Sequence, residues 1–206
     1  MSTVERPAQR KSPEARSREI AASARLVALE LGLDAVTLKS VGHRAAVAPS
    51  LVAYYFPSID ELIVETFRSI AAGELSELMA VLDSIDSAAA RLRTLINWLL
   101  NDARLDVTVV WLDSLILGKR NLELAAEVRT QLDAWQETVT REIDAGVRNG
   151  EFQTSQPELI AAHILSLIDG LNAHAIVKYH DQTGLSGMLR SLVERELGLP
   201  ERTLRA

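Results

Sequence analysis

The sequence predicts an all-α protein, with an N-terminal three-helix domain that contains a helix-turn-helix and a larger helical domain after it, about nine helices in total. Apolar residues recur at spacings of three and four along most of the 206 residues, and no window alternates as a strand does. Helix start and stop signals divide the pattern, among them Pro13, Gly32 and the pair Asn149-Gly150. The sequence has no internal repeat.

The first three predicted helices follow one another closely. The first begins at Pro13, a favoured first helical position, and runs to the glycine stop. The second is capped by Thr37 and runs to about residue 45. The third begins at Pro49 and must end before Pro57, because the residue before a proline resists the α conformation.

Six longer helices are predicted after these three. Ser58 and Glu61 have the spacing of a capping box and start a helix that runs to about Leu82. The other five helices are expected at about residues 87–105, 106–119, 122–150, 156–180 and 185–197.

The composition is that of an ordinary globular protein, with 48% hydrophobic and 24% charged residues. The chain has no cysteine, which excludes disulfides, thiolate metal sites and a cysteine nucleophile and suits a reducing cytoplasm. The N-terminal residues lack the apolar segment of a secretory signal. The most apolar stretch, from Leu159, is interrupted by Asp169 and Asn172, which favours a buried helix over a bilayer span. We therefore expect a cytoplasmic protein with no membrane partner.

Basic residues are concentrated at the N-terminus of an acidic chain. The net charge is −6, yet the residues up to Phe56 include eight Lys or Arg against five Asp or Glu, while the rest has 14 against 23. This asymmetry indicates that the N-terminal quarter meets an anionic partner. A solvated basic tail would account equally well for residues 1–18, so that alternative stays open at this point.

The segment TLKSVGHRAAVAPSLVAYYFPSIDEL, residues 37–62, has the spacing of two short helices joined by a tight turn. Val52 and Phe56 are four residues apart and can pack inwards. The residues left facing outwards or sideways are Ser50, Leu51, Ala53, Tyr54 and Tyr55. Tyrosine hydroxyls can donate to phosphate oxygens, and small apolar side chains can contact thymine methyl groups in a DNA major groove. A helical hairpin packed on a neighbouring domain is the alternative, because any three-helix cluster can imitate this motif.

Residues 16–75 resemble the N-terminal part of the tetracycline-repressor (TetR) family. The positions that match the family pattern are Thr37, Val41, Arg44-Ala45, Val47, Val52, Tyr54 and Phe56. Ser58 with Asp60-Glu61-Leu62 resembles the start of the family's fourth helix, and AASARLVALELGLDAVTL resembles its first helix and the turn after it. The resemblance implies a ligand-responsive repressor that binds a near-palindromic DNA operator as a homodimer and is released by a small molecule.

The resemblance also implies a division of the chain and a role for single residues. It implies a flexible basic tail at 1–12, a helix-turn-helix DNA-binding domain at 13–58 with the motif at about 37–56, and an effector-binding and dimerisation domain at 59–206. Phosphate contacts are expected from Thr37, Tyr54 and Tyr55, and base contacts from Pro49, Ser50 and Leu51, with Ala53 beside them. Charge and outward direction add Lys39 and Arg44, for which ordinary solvated basic residues are the alternative.

Three positions depart from the family pattern. Ala46 stands at the usual turn glycine, so this turn has to form with a β-carbon present. Ala48 replaces the serine that caps the third helix, and Ile59 replaces a phosphate-binding lysine. These departures favour the alternative function, a helical interaction protein or a diverged relative that does not bind DNA.

The C-terminal part is similar to the choline-pathway type of repressor through WLDSL, LDAW, NGEF and LIDGL. Two apolar stripes on the helix near residues 159–171 are wider than one core requires, and the last helix has a matching face. The residues predicted to form a dimer interface are Ile164, Leu167, Ile168, Gly170, Leu171, Leu185, Leu189 and Leu192. Burial of both faces within one chain is the alternative. The residues predicted to line an effector pocket are Asn97, Trp98, Trp111, Asp113 and His174, together with Asn172. Core filling is the alternative for Trp111.

The sequence contains no pattern of catalytic residues. The histidines, His43, His163, His174 and His180, lack the spacing of a metal site, and glycine-rich phosphate loops and a nucleophile elbow are absent. We therefore expect no enzyme activity and no cofactor, with an unknown small molecule as the effector.

Overall fold

The computed structural model describes residues 11–179 and 182–205, and within them it forms nine α-helices and two short 3₁₀ turns but no strand. The helices are α1 (Pro13–Leu31), α2 (Leu38–Arg44), α3 (Pro49–Tyr55), α4 (Ile59–Leu82), α5 (Ala88–Leu99), α6 (Leu105–Leu117), α7 (Leu122–Arg148), α8 (Pro157–Ile176) and α9 (Gln182–Glu196). The predicted all-α class is confirmed. The predicted tail at residues 1–12 lies outside the described residues except for Lys11 and Ser12, as does His180.

The N-terminal helices, α1–α3, pack around the first half of α4. The buried side chains they share include Ile20, Val41, Val52 and Phe67. Thr37 caps α2, because its Oγ1 accepts a hydrogen bond from the backbone N–H of Ser40 at 3.1 Å. The same apolar cluster continues into α6 and α7. The domain division at residue 58 therefore stays a prediction, since the core packing runs across it.

The turn between α2 and α3 is built from two unusual positions. Ala46 adopts φ 53°, so the expected turn with a β-carbon is confirmed. Gly42 lets the two helices approach closely, because a Cβ there would lie 2.9 Å from the carbonyl oxygen of Val47 and 3.3 Å from the nitrogen of Pro49. Ala48 precedes α3 without a side-chain cap, as the sequence predicts.

The second half of α4 packs with α5, α7, α8 and α9 into a second core. Its fully buried members include Leu78, Leu92, Val139, Ile143 and Ile164. Residues 87–105, predicted as one helix, instead form α5 and a 3₁₀ turn at Asp102–Arg104, after which α6 begins at once. The break places Arg104 at the junction of α5 and α6.

Helix α8 is a long apolar helix with exposed leucines. By length and composition it could cross a membrane, with a window of mean hydropathy 1.4 of which 22% is buried in the chain. Core helices of globular proteins meet the same criteria, and α8 packs against α6, α7 and α9. Helix α8 therefore gives only weak evidence for a membrane span.

Candidate DNA-binding face and ligand cavity

Helix α3 presents one exposed face. Val52 is fully buried and fixes the rotation of the helix, while the Tyr54 side chain is 76% exposed. Pro49 and Ser50 are exposed, and Leu51 and Ala53 are half-buried beside them. Tyr55 packs on the apolar cluster, with its ring edge-on to that of Tyr54 at 5.2 Å between centroids. The geometry leaves the tip of α3 free to contact a macromolecule.

The basic and hydroxyl groups expected on this face differ in what they already bind. Lys39 is exposed. The Thr37 hydroxyl is engaged in capping α2 and is also 2.9 Å from the hydroxyl of Ser40. Arg44 is exposed, but its guanidinium forms a two-pronged ion pair with Glu30, with Nη2 donating to Oε1 at 2.6 Å. This pairing holds the pKa of Glu30 below its ordinary value through the hydrogen bond and charge of Arg44. Arg44 therefore has to leave Glu30 before its full charge reaches a phosphate.

A second feature is an apolar cavity of about 90 Å³ between α4, α6, α7 and α8. Trp111 and Trp135 form two of its walls, with leucines from α5, α6, α7 and α8 completing most of the rest. The polar groups that line it include the charged side chains of Glu74, Arg104 and Asp169. Such a lining encloses apolar atoms and supplies a few groups that orient a ligand.

The Glu74 carboxylate is the buried charge of this cavity and is 6% exposed. Trp111 Nε1 donates to its Oε2 at 3.0 Å, and Arg104 Nη2 lies 3.0 Å from its Oε1. The Arg104 guanidinium also lies over the Trp98 ring, with 4.5 Å from Cζ to the ring centroid. Glu74 belongs to α4, so the helix that leads to the N-terminal helices forms part of the cavity wall.

Asp169 is the second carboxylate at the cavity. The surrounding protein atoms partly desolvate its carboxyl group and raise its pKa above the ordinary value, but the residue as a whole is exposed to solvent, so the shift is modest. No lysine or arginine lies within ion-pair distance of Asp169 among the described residues. Within the described part of the chain, the cavity therefore has one carboxylate paired with an arginine and another without a cationic partner.

Comparison with known proteins identifies the family. Residues 88–198 match the sequence model of a family described as BetI-type transcriptional repressor, C-terminal. The chain belongs to the BetI-type repressors of the TetR family. It is therefore a DNA-binding transcriptional regulator.

Individual relatives agree with this assignment. The chain is 27% identical over 183 residues to the uncharacterized HTH-type transcriptional regulator YfiR of Bacillus subtilis, covering 85% of this chain and 87% of that protein. It has the fold of a Saccharomonospora viridis putative transcriptional regulator solved in complex with choline, with a TM-score of 0.79, 22% identity and coverage of 90% and 98%. The regulator FadR of Bacillus subtilis in complex with stearoyl-CoA gives a TM-score of 0.67 at 18% identity, covering 87% and 98%.

Most of the residues predicted to line an effector pocket lie outside this cavity, although Asn172 lines it, and their role in effector binding stays a prediction. Trp111 lines it, and Trp98 lies behind Arg104 at its edge. Asn97 accepts a hydrogen bond from Arg190 at 2.6 Å and lines a separate polar cavity. His174 is exposed and stacks edge-on against Tyr179. Asp113 points to the opposite side of α6, where its Oδ2 accepts from the backbone N–H of Leu33 at 2.8 Å.

Sequence reasoning missed the cavity's other polar groups for a simple reason. Glu74, Arg104 and Asp169 are charged residues within helical segments, where charge is most often solvated. Glu74 and Phe67 are seven residues apart and so share a face of α4. This spacing from an apolar residue was the sequence signal that could have predicted the burial of Glu74. Among the described residues no group of His, Asp or Glu has the arrangement of a metal site.

The predicted dimer residues divide into two sets. Ile164, Ile168 and Leu189 are 0%, 1% and 2% exposed and pack inside their own chain, so the prediction that they contact a partner is wrong for this conformation. Leu167 and Gly170 are exposed on the opposite side of α8. Leu171, Leu185 and Leu192 are half-buried at the margins. An α-helix turns by about 100° per residue, and packing selected Ile160, Ile164 and Ile168 as the inner stripe.

Proposed function

We propose that this protein is a cytoplasmic homodimer that binds a near-palindromic DNA operator through two copies of α3 and is released by a small molecule with a cationic group. The exposed tip of α3 carries the DNA-binding part of the proposal. Two identical helices related by a two-fold axis have to bind two related half-sites, which is why the operator is expected to be near-palindromic.

The chemistry of α3 determines how DNA would be recognised. The helix has no lysine or arginine, so base recognition falls to the hydroxyl of Ser50 and the apolar surfaces of Pro49, Leu51 and Ala53. Tyr54 and Tyr55 stand at the end of the helix, where their hydroxyls can reach phosphate oxygens, and Thr37 and Lys39 can do so from α2. Arg44 joins them when it exchanges Glu30 for a phosphate.

The homodimer is supported by the uncovered side of α8. Leu159 is 48% exposed and Leu167 is 37% exposed, and Met188 of α9 is 61% exposed. At Gly170 a Cβ would meet open space, because no heavy atom of the surrounding chain lies within 4 Å of the place it would take. Two antiparallel copies of α8 and α9 would bury these side chains in a four-helix interface, with Gly170 allowing close approach.

The cationic effector is supported by the charges of the cavity. Two tryptophan rings and an unpaired carboxylate, Asp169, suit an alkylammonium group, because aromatic faces and carboxylates attract cations. The S. viridis regulator of the same fold was solved with choline, a quaternary ammonium alcohol. The cavity volume of about 90 Å³ is smaller than the roughly 300–1,000 Å³ of typical ligand sites. The cavity therefore has to widen when a ligand enters.

Selection from random duplex DNA with the full chain tests the DNA-binding part. We expect enrichment of an inverted repeat, with affinity that falls steeply as salt increases. Tyr54→Phe should weaken binding to every enriched duplex, whereas Leu51→Ala should relax preference at one base position in each half-site. Tyr179→Phe, at an exposed tyrosine in the C-terminal part, is the matched control. Failure to enrich any sequence at low salt would favour the helical interaction protein instead.

Calorimetry tests the ligand class. Choline should bind, while 3,3-dimethyl-1-butanol, its uncharged analogue of the same shape, should bind at least about tenfold more weakly. Asp169→Asn should remove most of that difference. Equal binding of both compounds would contradict a cationic effector.

A further inference from the structure

Arg104 already occupies the kind of position that a bound cation would take. Its guanidinium lies 4.5 Å from the centre of the Trp98 ring and 3.0 Å from a Glu74 carboxylate oxygen. An aromatic face and a buried carboxylate are the two groups that bind ammonium cations in proteins. Arg104 lines the cavity with Glu74, so the guanidinium is at the site and not remote from it.

We propose that Arg104 is a built-in competitor of the effector: the effector's cation, which Asp169 of the same cavity also attracts, replaces the guanidinium at Glu74 and Trp98, and this exchange weakens the contact between α4 and the start of α6. The inference rests on the cationic effector proposed above. It concerns this chain's own side chain and gives the mechanism by which an occupied cavity changes the structure.

The exchange is favoured over simple departure of Arg104 because Glu74 is buried. Its second oxygen accepts from Trp111 Nε1, and Arg104 is its ion-pair partner among the described residues. If Arg104 left alone, a buried carboxylate would lose its cation, which is strongly unfavourable. A ligand cation that enters at the same time keeps Glu74 paired. Arg104 can then turn towards Glu77, whose carboxylate is 59% exposed and 4.0 Å from Nη1.

Arg104 lies where three helices meet, so its release from Glu74 should change how these helices pack. It ends the 3₁₀ turn after α5 and is the residue from which α6 begins, and its carbonyl accepts from the Thr108 hydroxyl at 3.2 Å. The guanidinium joins this junction to Glu74 on α4 and to Trp98 on α5. Helix α4 runs from the cavity directly to the N-terminal helices. Exchange of the buried Arg104–Glu74 pair for a solvent-exposed contact with Glu77 therefore weakens the attachment of α6 to α4, the helix that leads to the DNA-binding face.

The small cavity volume agrees with the same exchange. A side chain that fills part of a site lowers the apparent affinity of the ligand by the fraction of molecules in which the site is open. Removing the guanidinium should therefore strengthen binding, the opposite of what loss of a ligand contact does. This difference in sign separates a competitor from a ligand-binding residue.

Choline titrations of the wild-type chain and Arg104→Gln test the proposal, followed by calorimetry and by the fluorescence of the three tryptophans, each of which lies at or beside the cavity. Arg104→Gln should bind choline about tenfold more tightly. It should also bind the selected operator about fivefold more weakly without ligand, and choline should reduce that affinity by a smaller factor than in the wild type. Arg129→Gln, at an exposed arginine of α7, should match the wild type.

Arg104→Lys keeps a positive charge without the planar guanidinium, and should give an intermediate affinity if Arg104→Gln does not fold. Choline binding to the wild type with no gain in either variant would overturn the competitor role and leave the cationic effector standing. Absence of choline binding in the wild type and in both folded variants would overturn both. Binding that appears only when Arg104 is replaced would support the competitor role.

Discussion

The carboxylate of Asp113 caps the turn at Leu33, with 2.8 Å between Oδ2 and the backbone nitrogen of Leu33. The contact joins α6 to the turn that follows α1. Gly32 makes it possible, because it adopts φ 96° and a Cβ there would lie 2.7 Å from the same oxygen. Trp111 lies on the cavity side of α6. Asp113 follows it by two residues, which corresponds to a rotation of about 200° around the helix axis. One short helix therefore contacts the cavity and the N-terminal helices with opposite faces.

Asp113→Ala should uncouple effector binding from DNA release. The variant keeps the cavity lining, so choline should bind with unchanged affinity. In coupled sites a ligand typically changes the affinity for the other partner by about 5- to 150-fold, which corresponds to roughly 1–3 kcal/mol. In Asp113→Ala, choline should leave the operator affinity almost unchanged. The lost cap should also lower the free energy of unfolding by about 1–2 kcal/mol. Anisotropy titrations of operator DNA with and without choline measure the coupling.

Asp133→Ala, at an exposed residue of α7, is the control for Asp113→Ala and should keep full coupling. Unchanged coupling in Asp113→Ala would mean that the signal does not pass through this face of α6.

Ala46→Gly should stabilise the protein. Ala46 has φ 53°, where a β-carbon is unfavourable by about 1–2 kcal/mol, while glycine gains unfolded-state entropy worth about 0.4–1 kcal/mol. The net gain is about 0.5–1 kcal/mol, or roughly 2 °C in melting temperature for a chain of this size. Ala126→Gly, at an exposed position inside α7, should lower the melting temperature instead. A lower melting temperature for Ala46→Gly would show that the turn is not strained.

The N-terminal helices were predicted closely because their limits are set by local chemistry. Thr37, Pro49 and Ser58 act on the residues next to them, and the structure starts α2, α3 and α4 within one residue of each prediction. Ala46 was identified as the turn position from the resemblance to the TetR family pattern. The close approach of α2 and α3 at Gly42 was not predicted, because it depends on the position of the Val47 carbonyl, which only the folded turn defines.

The cavity and the outer side of α8 could not be predicted in the same way. Asp113 and Trp111 are two residues apart in sequence, yet the rotation of α6 directs one to Leu33 and the other to Glu74. The stripes of α8 were both found, but apolar spacing alone does not determine which stripe faces the chain's own core. Packing against α7 and α9 decides this, and it depends on residues distant in sequence.

Gly170→Leu should disrupt the homodimer without destabilising the single chain. The chain leaves open space at Gly170, and leucine is a better helix former than glycine by up to about 1 kcal/mol. A bulky side chain should nevertheless hold two α8 helices apart, so light scattering should report a monomer and operator binding should fall. Ala126→Leu, on the exposed side of α7, should stay dimeric. A dimeric Gly170→Leu variant would place the interface elsewhere. Leu189→Arg is a poorer test, since Leu189 is 2% exposed and the buried charge would unfold the chain itself.

Asp169→Asn should raise stability near neutral pH while weakening choline binding. Partial desolvation raises the pKa of Asp169 above 3.8, so the folded chain holds this proton more tightly than the unfolded chain, by a margin that the exposure of the residue keeps small. The free energy of unfolding therefore falls as pH rises from about 3.8 through the raised pKa, and the penalty is complete above it.

Asparagine removes this penalty, so the melting temperature of Asp169→Asn should exceed that of the wild type at pH 7, and the gap should narrow as pH is lowered. In the wild type, choline affinity should rise with pH over the same range, because the ionised carboxylate attracts the ammonium group and the neutral acid does not. Calorimetry at pH 5 and pH 7 measures the affinities, and Asp133→Asn, on exposed α7, is the control for the melting curves. A melting temperature of Asp169→Asn that lies below the wild type at pH 7 would show that the carboxylate stabilises the empty cavity.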